Sequence, residues 1–464
     1  MAAVSTSERR ELAFAGVARQ AELVRAGEVS PRELVETALE RIERLDAQLN
    51  AFRVVFAERA LAEADQAVRR RATGSDRDEP PLLGVPVAVK DDTCVAGEAR
   101  TRGSSACDAI EPEDADVVRR LRAAGAIVVG IARTPELGIW PFTETVSGGI
   151  TRNPWDPDRT SGGSSGGPAT AVAAALVPAS TASDGAGSIR IPAACCGLFG
   201  LKPQRGRVAT APLGEIWNGL SVYGFLTRSV GDSALLYEVA TGEPYVRATQ
   251  GPPPRLRVAL SLKIPVGSTA RLHPDWRRAA ESTAELLRSL GHEVVERDPA
   301  IGQAGINTLM RYLAGVHDEV RGVAHPDRLE RRTQQLARIG ALPRRRLPAL
   351  LAAQERDAAR VNAIFDGVDV VLGPTLARSP LPVGAYEGRS ATYTLNGVLR
   401  WVPFNGVWNH VGNPAAAVPA GFDDDGLPLS VQLVAPPGGE ATLFALSRQL
   451  EEARPWADRR PPVS

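Results

Sequence analysis

The chain has 464 residues, enough for one large domain or two to three average ones, and for a sizeable core in either case. Its 54 basic residues balance 54 acidic ones, which removes the electrostatic footprint of a nucleic-acid partner; the arginines at 328–332 and 344–346 read as solvated helix faces. Four cysteines in so long a chain (Cys94, Cys107, Cys195, Cys196) make no disulfide framework, and the opening MAAVSTSERRELAFAG lacks the cationic segment and apolar core of a leader.

A cytoplasmic protein without a membrane segment is therefore expected; the small-residue run at 171–179 is broken by Pro178 and falls short of a span. The first seventy residues read as helical, giving an N-terminal helical region over 1–75. Ser30, Pro31 and Glu33 mark a helix start, with a capping serine, proline at the first position and a glutamate that reaches back to the cap. Leu34, Val35, Ala38, Leu39, Ile42 and Leu45 follow on one face.

From Leu82 the texture changes. Val85, Val87 and Val89 lie in an extended segment ending at Lys90, followed by Asp91 and Asp92. An amphipathic stretch from Asp114 to Ala124, a stop at Gly125 and the apolar strand Ala126–Gly130 form the helix-then-strand pattern of an α/β protein. Further strands are expected at Arg255–Leu260, His292–Arg297 and Val368–Thr375, separated by a helix over Asp275–Leu290 and a mostly helical segment over Ala304–Ala363. Pro252–Pro254 mark a loop at the edge of that helical insertion.

The stretch TSGGSSGGPATAVAAALVPASTASDGAGSIRIPAACC, Thr160 to Cys196, has three readings. A flexible linker would be polar and sparse in structure, whereas Pro168 opens an alanine-rich run to Pro178 that reads as a short helix beginning just after Gly167 and packed against a close neighbour. A phosphate cradle needs glycines between a strand and a helix in a set spacing, which Gly185 and Gly187 do not provide. The third reading is a serine active site. Gly162, Ser164 and Gly166 satisfy G-x-S-x-G, yet the turn-rich TRNPWDPDRT before them is no strand, so a nucleophile elbow of the α/β-hydrolase kind is not expected.

The five histidines, His273, His292, His317, His325 and His410, show no metal spacing and read as packing or surface residues. A lysine can activate a serine instead, if the fold keeps it neutral. Lys90, after three strand valines, is the candidate. Lowering a lysine from its ordinary ~10.4 toward neutrality asks the fold for roughly 3 to 5 kcal/mol, which burial can supply. A salt-bridged strand end is the competing reading of the same residue.

GVPVAVKD around Lys90, GGSSGG at Gly162–Gly167 and GSIRIPA at Gly187–Ala193 together resemble the amidase signature family. The resemblance continues through GIARTPELG, NPWD, GLKPQRGRV, RSVGD, PFN and PAGFDDDGLPLSVQLV, nearly the whole chain. It implies an α/β fold with a central mixed twisted β-sheet covered on both faces by helices. Residues 76–245 would form the core with the catalytic motifs, and 246–464 the remainder of the same domain, with a helical insertion at roughly 300–365.

The resemblance also implies a Ser-cisSer-Lys triad, with Ser188 as nucleophile, Ser164 as the bridging serine after a cis peptide bond and Lys90 as base. The N–H groups of Gly185, Ala186, Gly187 and Ser188 would form the oxyanion hole, and Asp184, Arg190 and Ser165 would brace the turn. No metal or cofactor is implied; the partner is a small-molecule amide or carbamate substrate, with no nucleic acid or membrane, for a monomer or homodimer. The usual DTGGSIR stands here as DGAGSIR, KDD replaces the common KDN, and Gln204 a frequent threonine, which opens the question of substrate class.

The activity expected is cleavage of carboxamide C–N bonds, as in anilides or oligoamides, with carbamates and esters as further candidate substrates of the same acyl chemistry. The alternative is an amidotransferase subunit of a transfer-RNA-dependent amidation complex. Trp140, Phe142, Trp217, Tyr223, Trp401, Phe404 and Trp408 are candidate pocket walls, though each alone suits the core better, since aromatics are commonly buried for area alone.

Overall fold

In the computed structural model, which describes residues 6–73, 79–265 and 268–464, Ser30 opens helix α1 (Pro31–Leu49) as the sequence predicts. Its hydroxyl accepts from the Glu33 N–H, and the Glu33 carboxylate accepts from the Ser30 N–H at 2.8 Å. Leu34, Val35, Ala38 and Ile42 turn inward from this helix. Part of the expectation about a leader falls on residues 1–5, and the boundary at 75/76 falls on residues 74–78; both lie outside the described residues.

Among the described residues, eleven strands form one sheet. They are β1 (Phe52–Val55), β2 (Pro86–Lys90), β3 (Ile127–Ala132), β4 (Ala179–Asp184), β5 (Phe199–Lys202), β6 (Val222–Thr227), β7 (Arg257–Leu260), β8 (Glu293–Glu296), β9 (Val370–Pro374), β10 (Ala415–Phe422) and β11 (Pro428–Val434). Their order is β1-β3-β2-β4-β6-β5-β10-β11-β9-β7-β8. Parallel pairing of β2 with β3 and β4 on one side, and of β7 with β8 and β9 on the other, flanks an antiparallel middle. The sheet is thus mixed, and helices flank it, which is why β2 and β3 are buried at every position rather than alternating.

Several expected strands are shorter than their apolar runs. The segment from Arg255 begins as β7 only at Arg257, because the Leu256 N–H is taken by the His292 ring at 3.1 Å instead of by the ladder. The alanine-rich run gives helix α2 (Gly166–Ala173), which stops well before Pro178. Ala175 adopts a left-handed φ of 51°, the Leu176 N–H closes on the Ala171 carbonyl at 2.8 Å, and the Arg41 guanidinium takes the Ala174 and Ala175 carbonyls just past the helix at 2.8 and 2.7 Å. The chain then enters β4 and turns into helix α3 (Arg190–Cys196).

The segment expected to be mostly helical holds α4 (Gly302–Arg321), α5 (Arg331–Arg345) and α6 (Leu347–Asn362). Helices α7 (Ala391–Trp401) and α8 (Gly406–Val411) follow β9 and lead into β10. Among the described residues no helix is long and apolar enough to cross a membrane.

Gly167 sits where α2 meets the end of β3. A Cβ there would lie 2.6 Å from the Ala51 carbonyl oxygen and closer still to the Arg133 backbone. Gly167→Ala is therefore expected to lower stability by ~1–3 kcal/mol, read as a lower urea midpoint, because backbone cannot move aside as a side chain can. An unchanged midpoint would contradict this packing.

Candidate active site

Lys90 is the last residue of β2, and the neighbouring β4 determines its surroundings. Alternate residues of β4 face it: Thr181 Oγ1 accepts the Lys90 backbone N–H at 3.0 Å, and Ser183 Oγ accepts from Nζ at 2.7 Å. Nζ also donates to Ser164 Oγ at 2.8 Å and lies 3.0 Å from Asp92 Oδ2. The lysine side chain is fully buried. Burial pushes its amine below the ordinary lysine range, and the Asp92 carboxylate pulls it back up.

Ser164 precedes α2 in a tight turn whose Gly163–Ser164 peptide bond is cis. Thr134 Oγ1 donates to the Ser164 carbonyl at 2.8 Å and Thr143 Oγ1 to the Gly162 carbonyl at 3.0 Å, so the turn is held on both sides of its cis bond. The Ser165 N–H donates to the Ser188 carbonyl at 3.3 Å, joining this turn to the one that follows β4. Ser165 Oγ donates to the Ser183 carbonyl at 3.3 Å.

That second turn, 185–189, is organised by Asp184 and Arg190, both fully buried. Asp184 Oδ1 accepts the Gly187 N–H at 2.6 Å and Oδ2 the Ile189 N–H at 3.1 Å. Arg190 grips both carboxylate oxygens, at 2.9 and 3.0 Å, and also donates to Asn409, Gln432 and the Asn405 carbonyl. Burial alone would raise the Asp184 carboxyl; the Arg190 charge and hydrogen bonds outweigh it and hold it well below the usual carboxylate range.

Gly187 needs to be glycine. Its φ is +125°, and a Cβ would lie 2.7 Å from Ile191 and 2.8 Å from Asn405. Its N–H is spent on Asp184, which differs from the expectation that it joins the oxyanion donors. The N–H groups of Gly185, Ala186 and Ser188 have no acceptor among the described residues. Neither Gly185 nor Ala186 adopts a positive φ, so the departure from DTGGSIR costs no backbone strain.

Ser164, Ser188, Gly185 and Ala186 all border one cleft of about 400 Å³. Its walls are mainly apolar: Leu137, Trp140, Ile216, Trp217, Tyr312 and Leu395 among them. Trp217 and Asn218 both take left-handed backbone, with φ of 54° and 53°. The Asn218 carbonyl is held by the Arg311 guanidinium of α4, and the Trp217 ring lies against Tyr312 at 5.1 Å, so the insertion positions this wall.

The family model for amidases matches residues 33–444. The chain belongs to the amidase signature family. This amidase is 50% identical over 461 residues to AmiB2 of Mycobacterium tuberculosis strain H37Rv, covering 98% of this chain and 99% of that relative. Two solved structures are similar over almost their full lengths. That of 6-aminohexanoate cyclic dimer hydrolase has a TM-score of 0.89 at 31% identity, covering 97% of this chain and 99% of its own. That of a bacterial aryl acylamidase has a TM-score of 0.85 at 25% identity, covering 96% and 97%. The chain is an amidase-type hydrolase acting on C–N bonds.

Of the aromatic residues considered as pocket walls, Trp140, Trp217 and Tyr223 border the cleft of this amidase. Phe142, Trp401, Phe404 and Trp408 do not; they are buried, and Trp401 spends its indole N–H on the Arg378 carbonyl at 3.1 Å. Their neighbours Val402, Pro403, Gly406 and Val407 face the cleft instead. Gln204 accepts from the Gly438 N–H at 2.5 Å, away from the cleft. No histidine borders the cleft among the described residues.

Sequence reasoning passed over Ser183 and Tyr312. Ser183 was accessible from strand alternation, two residues after Thr181 and one before Asp184. Tyr312 had no local signal, since it reaches the cleft only through the tertiary placement of α4.

Removing Arg190 would leave the Asp184 carboxylate buried without its counter-charge. Arg190→Met is expected to cost ~3–5 kcal/mol in urea unfolding, against almost nothing for the exposed Arg271→Met. Equal effects of the two substitutions would remove Arg190 from its bracing position.

Proposed function

We propose that this amidase cleaves carboxamides with bulky apolar substituents through an acyl-enzyme on Ser188, with Ser164 as proton bridge and Lys90 as general base. The observation that carries this reading is the fully buried Lys90 amine, 2.8 Å from Ser164 Oγ, in a cleft that Ser188 also borders. Burial lowers this amine, which favours the neutral form that a serine relay requires.

In this mechanism neutral Lys90 takes the hydroxyl proton of Ser164 as Ser164 takes that of Ser188. Ser188 Oγ attacks the carbonyl carbon, and the oxygen that becomes negative is met by the N–H groups of Gly185, Ala186 and Ser188, which lack other acceptors among the described residues. Each such donor is worth about 2.7 to 4 kcal/mol in the transition state. Ser164 then passes its proton to the departing nitrogen, regaining one from Lys90, and water cleaves the acyl-enzyme by the reverse relay.

The apolar walls support bulky substrates, and the relatives named for cyclic 6-aminohexanoate dimer and aryl acylamide cleavage support secondary amides. A carbamate presents the same carbonyl to the same relay, with an alkoxy group in place of carbon and loss of carbon dioxide after hydrolysis.

The test is product analysis by mass spectrometry on a panel of primary amides, anilides, short oligoamides, aryl carbamates and esters. The wild type is expected to release amine from anilides or oligoamides. Ser188→Ala should lose on the order of 10⁴-fold or more in kcat while folding normally, and Lys90→Ala roughly 10²- to 10⁴-fold. Undiminished turnover by Ser188→Ala would overturn the acyl-enzyme. A folded wild type active only on glutamine, and only with added subunits, would favour the amidotransferase reading.

A further inference from the structure

Among the described residues, Lys90 Nζ has three oxygen neighbours, Ser164 Oγ, Ser183 Oγ and Asp92 Oδ2, at 2.8, 2.7 and 3.0 Å. Asp92 Oδ2 also accepts the hydroxyl hydrogen of Ser183 at 2.5 Å. Ser183 therefore has only lone pairs left for Nζ, and an ionised Asp92 has only lone pairs as well. Both contacts consume an N–H of the amine.

A neutral amine has two hydrogens and one lone pair. With the two hydrogens directed at Ser183 and Asp92, the lone pair is left facing the Ser164 hydroxyl, which is the direction a general base requires. We infer that Asp92, acting with Ser183, is a positioning residue that orients the Lys90 amine toward Ser164 and sets the pH at which it can accept a proton. This rests on the reading of Lys90 as the base. When Lys90 is an ammonium, its third hydrogen points to Ser164 and the relay is blocked until that proton leaves.

Asp92 is also the way out for that proton. Lys90 is fully buried, whereas the Asp92 side chain is 20% exposed and borders the cleft. Breaking an N–H bond of Lys90 and forming an O–H bond on Asp92 gives amine and carboxylic acid; the acid then gives the proton to a cleft water and is again a carboxylate.

Other charges near the pair are committed elsewhere. Asp91 is paired with Arg53 and Asp184 with Arg190, and both add to the negative field at Lys90. Tyr223 and Cys94 face Asp92 from β6 and its own loop, with both protons held by burial, and Arg100 lies beyond them, paired with Glu111.

Asp92→Asn keeps an acceptor for Nζ and removes the charge. Since a carboxylate at this range favours the ammonium, the acid limb of kcat/KM is expected to move to lower pH by roughly 1 to 3 units. Asp92→Ala removes the acceptor too, and kcat is expected to fall about 10²-fold with KM little changed, as for a misaimed catalytic group. Lysine labelling gives a second readout without turnover. The chain has only three lysines, Lys90, Lys202 and Lys263, so ¹³Cε signals can be assigned by substitution and titrated individually.

The Lys90 midpoint should be lower in Asp92→Asn than in the wild type; an equal or higher midpoint overturns the inference, as does an unmoved acid limb. If Asp92→Asn does not fold, Asp92→Ser is measured in the same two ways with the same expectation. Because the titration needs no substrate, absence of activity would count against the proposed reaction and leave the Asp92 result standing on its own.

Discussion

The contact on which the site most depends is the buried ion pair between Asp184 and Arg190. Asp184 closes β4 and Arg190 opens α3, so the pair clamps both ends of the turn that carries Ser188. From the far side Arg190 reaches Asn409 of α8 and Gln432 of β11, residues more than two hundred positions away in the chain. Taking such a pair out of water is costly, and the cost is offset only because nearly every donor and acceptor on it is matched. That matching makes the C-terminal third of the chain necessary to a turn near residue 187. It also explains why Gly187 gives its N–H to a structural carboxylate while its neighbours keep theirs.

Buried charge is distributed unevenly around this clamp. Lys90 and Lys202 both lie in the interior, and burial lowers both amines, Lys202 to about 7. Their surroundings differ. Lys202 has the Pro203 carbonyl as its hydrogen-bond acceptor, with the Arg190 charge adding to the downward push. Lys90 has two hydroxyls and a carboxylate, one of the hydroxyls in a turn bordering the cleft. Burial alone therefore does not distinguish the two amines; what separates them is a hydroxyl partner in a turn that borders the cleft.

How much of this could be read in advance depended on whether the signal was local. The capping box at Ser30, the valines leading to Lys90 and the helical segment from 302 to 362 are stated by neighbouring residues, and they are present. Strand β4, ASTASD, has no apolar periodicity because its side chains serve hydrogen bonds to Lys90 and the following turn, so its extended form is invisible to a hydrophobic pattern. The end of α2 was misjudged for a related reason. Alanine continues past Ala173 without a break, yet the chain turns away at a left-handed Ala175, where Arg41, more than a hundred residues earlier, takes the Ala174 and Ala175 carbonyls. Pocket walls were the least legible. Trp217 and Trp401 are alike as residues, and only tertiary placement sends one ring to the cleft and the other to the core.

Helix α4 then has a definite place in the proposed chemistry. In the proposed mechanism the reacting turns lie among strands and helices of the sheet's first half, which can be shared by enzymes with different substrates, since the carbonyl carbon and its oxyanion are the same in each. Selectivity must come from whatever faces those turns across the cleft. Here α4 supplies Tyr312 directly and fixes Trp217 indirectly, through Arg311 on the Asn218 carbonyl. Gly315 leaves room for that indole, since a Cβ there would lie 2.9 Å from the ring. A change of substrate can therefore arise in α4 without disturbing Lys90, Ser164 or Ser188, because no residue of α4 is hydrogen-bonded to them among the described residues.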